Sequence, residues 1–102
     1  MRGVFWSDDA LKEMNALAAY IAAENPAAAL KVLDRIERTV DNLSRMPTGR
    51  KGRVEGTYEK PVAGLPYIIA YALQTLPDAS ERIVILHVIH GARDWPLGKW
   101  PK

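Results

Sequence analysis

A two-layer α+β domain is expected from three observations, with an antiparallel four-stranded sheet and an N-terminal helical hairpin packed on one face. Apolar residues recur at three- and four-residue steps from Leu11 to Met46, interrupted once at Asn25-Pro26. Beyond Gly49 the period changes to short runs rich in Val, Ile and Tyr, separated by turn residues. A short aromatic and β-branched run, Val4-Phe5-Trp6, precedes the helices. The expected order is β-α-α-β-β-β, with residues 1–102 read as one domain.

Val4-Phe5-Trp6 suits a first strand. Ser7 then reads as an N-cap, with Asp8 and Asp9 in the first turn where the helix dipole favours negative charge. Leu11, Met14, Leu17, Ala18 and Ile21 form one apolar stripe, and this helix should end near Ala23 or Glu24. Asn25 caps a second helix, and Pro26 at its first position gives up a donor that had no partner anyway. Leu30, Leu33, Ile36, Val40, Leu43 and Met46 form its stripe, and Pro47 stops it. The connection is only a few residues, so the two helices should pack as an antiparallel hairpin.

The sheet region follows. Val54 to Val62 reads as an alternating strand, with Val54, Gly56, Tyr58, Lys60 and Val62 on one face and Arg53, Glu55, Thr57 and Glu59 on the other. Ala63-Gly64 turns into Leu65 to Leu73, apolar on both faces and therefore central. Leu76-Pro77-Asp78-Ala79-Ser80 is a turn-rich loop before Ile83 to His90. Residues 91–102 carry two Pro and two Trp and read as an irregular tail. With both helices on one face, the other face of the sheet should be partly open.

Composition narrows the function classes. The chain has 48% hydrophobic and 25% charged residues, which places it among globular rather than disordered or fibrous proteins. It lacks Cys, which excludes disulfides and thiolate-held metal. Acidic Asp8 and Asp9 come too early for a signal peptide, and no apolar run approaches a membrane span, so a cytoplasmic location with no membrane partner is expected. Net charge is +2, unevenly placed: an acidic helical half from Ser7 to Ser44 precedes a basic half from Arg45 onward. That asymmetry suits either a polyanionic or acidic partner for the second half, or a merely solvated surface.

The residues with chemistry to offer cluster after Gly49. Arg50, Lys51 and Arg53 are the densest basic group, suited to phosphate or an acidic segment. Gly49 and Gly52 do not complete a P-loop, because no Gly-Lys-Ser/Thr follows. His87 and His90 alternate across a strand, His87 with Ile83, Ile85 and Ile89, and His90 with Val84, Leu86 and Val88. They therefore cannot share a metal unless the strand ends between them, no carboxylate stands at a zinc-like spacing, and no metal or cofactor is expected. Cleavage of RNA without metal needs a base, an acid and cations, and Arg53, Glu55, Arg93 and His87 or His90 supply those types. A cross-strand salt network of Arg53 and Glu55 is the plainer reading. Tyr58, Tyr67, Tyr71 and Trp95 suit either base stacking or packing, and Trp95 and Trp100 suit a clasp or a partner contact.

Several of these segments together resemble the RelE/ParE superfamily of toxins from bacterial type II toxin–antitoxin modules. They are Trp6-Ser7, Tyr20-Ile21, Asn25-Pro26-Ala27-Ala28, Met46-Pro47 with Gly49-Arg50, and Gly52-Arg53-Val54-Glu55-Gly56-Thr57. Leu65-Pro66-Tyr67-Ile68-Ile69-Ala70-Tyr71 and Ile85 through Pro96 resemble the ParE-like branch in particular. The resemblance implies the same β-α-α-β-β-β fold, growth inhibition, and a part in plasmid stabilisation. It also implies a cognate antitoxin, often a ribbon-helix-helix protein, through which alone the toxin meets operator DNA.

For the ParE-like branch the implied target is DNA gyrase, bound without catalysis and with replication blocked. Arg50, Lys51, Arg53, Tyr67, His87, His90, Arg93 and Trp95 are then the residues expected to meet the target or the antitoxin. The RelE-like alternative is a ribosome-dependent mRNA endoribonuclease, with Arg53, Glu55, His90 and Arg93 as its catalytic candidates. The Lys-rich stretch of that branch is missing here, no Tyr follows the last strand, and His87 stands where many relatives carry Arg. A third expectation is a degenerate toxin that survives only as a co-repressor.

Overall fold

The computed structural model describes residues 2–91. Seven elements follow in order: β1 (Gly3–Trp6), α1 (Asp8–Ala22), α2 (Pro26–Arg45), β2 (Arg50–Lys51), β3 (Tyr58–Pro61), β4 (Tyr67–Thr75) and β5 (Glu81–His90). Both helices begin as their caps dictate. Ser7 Oγ accepts from Ala10 N at 3.1 Å, and Asn25 Oδ1 accepts from Ala28 N at 3.1 Å. Pro26 takes the first position of α2, which ends at Arg45 ahead of Pro47.

The sheet is five-stranded and mixed, in the order β1-β5-β4-β3-β2, rather than four-stranded and antiparallel. Two related facts account for the difference. The segment before β3 is not one strand from Val54. It is a two-residue strand, β2, and a turn that brings the chain back to pair Arg50 with Glu59 and Lys51 with Tyr58. That extra reversal of direction precedes β3, so β5 finally runs along β1 rather than against it. Gly3, Val4, Phe5 and Trp6 accordingly pair in parallel with Arg82, Ile83, Val84 and Ile85. β4 is central, as its two apolar faces require.

The helices cover one face. Ala10 and Met14 of α1 and Ile36, Val40 and Leu43 of α2 pack on Ile69, Tyr71, Ile83, Ile85 and Val88. The stripes fray at their ends, where Leu11 (47%), Leu30 (69%) and Met46 (68%) are exposed. Tyr58 and Tyr71 stack with ring centroids 5.4 Å apart, which makes them packing residues rather than base platforms. The Tyr71 hydroxyl donates to the Thr48 carbonyl at 2.5 Å and ties the loop after α2 to the sheet. Burial, and then neighbouring Tyr58, raise the Tyr71 hydroxyl above the ordinary tyrosine value.

A β-bulge lies in β5, where Ala70 pairs with His87 but Tyr71 pairs with Ile85. Leu86 is the extra residue, and alternation restarts after it. The expected face-mates of the histidines therefore change. Val88 joins Ile83 and Ile85 in the core, which puts His90 on the helix-covered face and His87 on the opposite one. The two histidines remain on opposite faces, but Ile83 and Ile85 now share the face of His90 rather than that of His87.

Candidate functional site

The basic corner is built around Glu59, which the alternation of residues 54–62 places on one face with Arg53, Glu55 and Thr57. From Arg53 to Gly56 the chain turns, and the loop closes through Gly52 N–H to Thr57 O at 2.8 Å and the Thr57 hydroxyl to Val54 O at 2.5 Å. Beneath it lies Glu59, only 1% exposed. Its carboxylate accepts from Arg53 N–H at 2.9 Å, Arg53 Nε at 3.3 Å and Arg50 Nη2 at 3.3 Å. Burial by itself would raise its pKa. The hydrogen bonds from Arg53 and Arg50 outweigh burial and hold it below the usual carboxylate range. Glu59 therefore offsets part of the Arg50–Lys51–Arg53 charge and fixes how two of those cations point. The expected Arg53–Glu55 pair does not form, because Glu55 sits exposed at the turn and Arg53 folds back onto Glu59.

At the far side of the sheet, β5 outruns β1 at Ile85, and helix α1 supplies the missing edge partners. Ser7 N–H donates to Ile85 O at 2.9 Å, the Ser7 hydroxyl to Leu86 O at 3.0 Å, and Val88 N–H to Glu13 Oε1 at 3.1 Å. The same carboxylate lies 3.2 Å from His87 Nδ1. Glu13 thus holds both the β5 edge and the His87 ring. Glu13→Ala should cost about 1–3 kcal/mol, because it leaves the Val88 N–H without its partner. Amide exchange at Val88 should quicken well before that of Ile83, whose strand pairing is untouched.

Register places the rest. Arg50, Glu59, Ala70 and His87 are paired in sequence across β2, β3, β4 and β5, so they form one row on the face away from the helices. Arg50 and Lys51 are exposed on β2, at the edge of the sheet. Tyr67 meets His90 edge-on, with centroids 5.5 Å apart, on the helix-covered face. They line a cavity of about 300 Å³ with Glu13, Leu17 and Tyr20. Arg93 and Trp95 lie outside the described residues. The structure thus brings Arg50, Arg53 and Glu59 together and pairs His87 with Glu13. It does not bring Arg53, Glu55 and His90 together. Glu59 and Glu13 were missed. Glu59 carried a faint signal, a carboxylate in a β-run beside three cations, whereas Glu13 carried none.

A larger cleft of about 490 Å³ opens between the helices and β1, with Val4, Trp6, Leu11, Met14 and Leu33 on its walls and Glu37 and Asp41 at its rim. Among the described residues no group of three or more His, Asp or Glu is placed to hold a metal, and no helix is long and apolar enough to cross a membrane.

Residues 4–95 match the family described as ParE toxin of type II toxin-antitoxin system, parDE. The chain belongs to the ParE toxin family. A Sinorhizobium fredii protein named "Putative toxin Y4kP" is 38% identical over 92 residues, which cover 89% of this chain and 90% of that protein. A solved chain from the chromosomal ParDE TA system of P. aeruginosa has the same fold. It superposes with a TM-score of 0.77 at 20% identity, over 88% of this chain and 96% of that one. In this chain the fold carries the Arg50–Glu59–Arg53 corner at one sheet edge and the His87–Glu13 contact near the other.

Proposed function

We propose that this ParE-type toxin inhibits growth by binding DNA gyrase without catalysis, and that a cognate ribbon-helix-helix antitoxin neutralises it. The observation that carries the reading is the separation of the ribonuclease candidates. Arg53 is committed to Glu59, Glu55 points from a turn, and His90 lies on the opposite face from the Arg50–Glu59 row. Acid–base cleavage needs its groups within hydrogen-bond reach of one phosphate, so binding is better supported than cutting. Exposed Arg50 and Lys51 supply contact cations for the target. The apolar cleft between the helices, rimmed by Glu37 and Asp41, offers the antitoxin a separate surface.

The test is a supercoiling and cleavage assay with purified toxin and gyrase. Loss of supercoiling and accumulation of cleaved DNA are expected, together with an early fall in DNA synthesis when the toxin is induced without antitoxin. Unaltered gyrase, with protein synthesis falling first, would move the reading to the ribosome. Harmless expression would leave the co-repressor role.

A further inference from the structure

A third pocket opens on the opposite side of α2. It measures about 400 Å³ and is lined by Thr39 and Asn42 of the helix, Met46 and Thr48 of the segment after it, and Lys60 and Pro61 of β3. Lys60 is paired with Ile69, and Ile69 with Val88, so its side chain leaves the sheet on the face the helices cover. Ile69 is 0% and Val88 8% exposed, so Lys60 stands where the same row is core. Lys60 is half-buried, so its stem lies along the margin of the core while its charged end reaches the pocket. Among the described residues no carboxylate lines this pocket, and Lys60 forms no ion pair.

The surroundings add to this. Helix α2 sorts its charges: Glu37 and Asp41 border the cleft toward α1, whereas its side toward β3 shows Thr39 and Asn42, with Met46 just past its end. Ala63 also lines the pocket, and its carbonyl accepts from Arg35 Nη1 at 2.7 Å. The carbonyl end of α2 would oppose an anion, but two of its last-turn carbonyls are already taken. Ser44 O accepts from Arg2 N–H, and Asn42 O accepts from Met46 N–H, both at 2.9 Å. The Thr39 hydroxyl donates to the Arg35 carbonyl at 2.9 Å, which leaves an ammonium, a carboxamide and the Thr48 hydroxyl beside the exposed thioether of Met46 and the Pro61 ring.

We infer that this pocket receives a carboxylate side chain from an acidic, partly apolar peptide segment of a partner protein, with Lys60 as its counter-ion and Met46 against the apolar neighbour. Charge complementarity decides the class of occupant, because a basic or neutral segment would leave Lys60 desolvated and unpaired. The inference does not depend on gyrase being the target.

The experiment is an NMR titration of the isotopically labelled full chain. The probe is an acetylated, amidated peptide of two Ser-Glu-Leu-Glu repeats, alongside its Gln-for-Glu counterpart and inorganic phosphate. Saturable shifts at Asn42, Thr48 and Lys60 are expected with the Glu peptide and not with the Gln peptide. Affinity should fall about tenfold in Lys60→Gln and be kept in Lys60→Arg. Asn42→Asp, at an exposed helical position, adds a carboxylate to the wall and should abolish binding even if Lys60→Gln does not fold. Shifts confined to Arg50 and Lys51, equal saturation by phosphate, or undiminished binding by Asn42→Asp would overturn the inference.

Discussion

Replacing Glu59 by Ala should destabilise the protein by about 2–3 kcal/mol, below the usual loss for breaking a fully buried pair because Arg50 and Arg53 are partly solvated. The carboxylate is 1% exposed and takes three hydrogen bonds, one of them from the Arg53 backbone. Ala leaves that N–H and two guanidiniums without their acceptor. Glu59→Gln should fall between, since its amide oxygen still accepts from Arg53 N–H. Urea midpoints for the three proteins at neutral pH check the order.

The same residue sets an acid dependence. Its folded pKa is depressed, so its contribution is complete above the ordinary glutamate value of 4.5 and is lost as pH falls through the lower folded value. Wild type should therefore lose stability relative to Glu59→Gln as pH falls from the ordinary glutamate value of 4.5 through the lower folded value, and the gap between them should narrow. A gap that stays constant over that range would show that the carboxylate's charge contributes nothing.

Gly49→Ala should be the other severe substitution, at about 3 kcal/mol. Gly49 has φ +124°, and a Cβ there would stand 2.6 Å from the Glu59 carbonyl oxygen and 3.3 Å from its carbon. Those are backbone atoms of β3, so no side chain can swing aside. The strain should part β2 from β3 and release the loop that covers Glu59. Gly56→Ala is the control: φ is +80°, but nothing lies within 4 Å of the added carbon, so only the conformational cost of about 1 kcal/mol applies. Thermal melts separate the two, and near-equal losses would mean that the close approach to Glu59 is unimportant. Both variants also bear on function, because the corner presents Arg50 and Lys51.

The relation between these residues and the sequence is instructive. Glu59 is six residues from Arg53 and nine from Arg50, and the pairing requires a turn that a strand reading of Val54 to Val62 had smoothed away. The smoothing had a cause: Val54, Gly56, Tyr58, Lys60 and Val62 do alternate with charged and polar residues, but a two-residue strand and a glycine turn leave almost no periodic trace. One missed reversal then sufficed to invert the expected direction of β1 relative to β5.

Local physics, acting over three or four residues, made much of this protein readable from its sequence. The Ser7 and Asn25 caps, Pro26 at the start of α2, the change from helical to strand period after Gly49 and the central place of β4 all belong to that class. Its family was equally readable, because runs such as Leu65 to Tyr71 and Ile85 to Pro96 are contiguous. Contacts between distant segments were decided only in three dimensions. Leu86 becomes a bulge through the register of β4 on β5, and that bulge sends His87 and His90 to new neighbours. Glu13 reaches Val88 across 75 positions of chain, and Lys60 faces α2 through pairings with two other strands. A cap needs only its own next turn, whereas a site assembled from β2, β3, α1 and α2 exists only once register and packing have been chosen together.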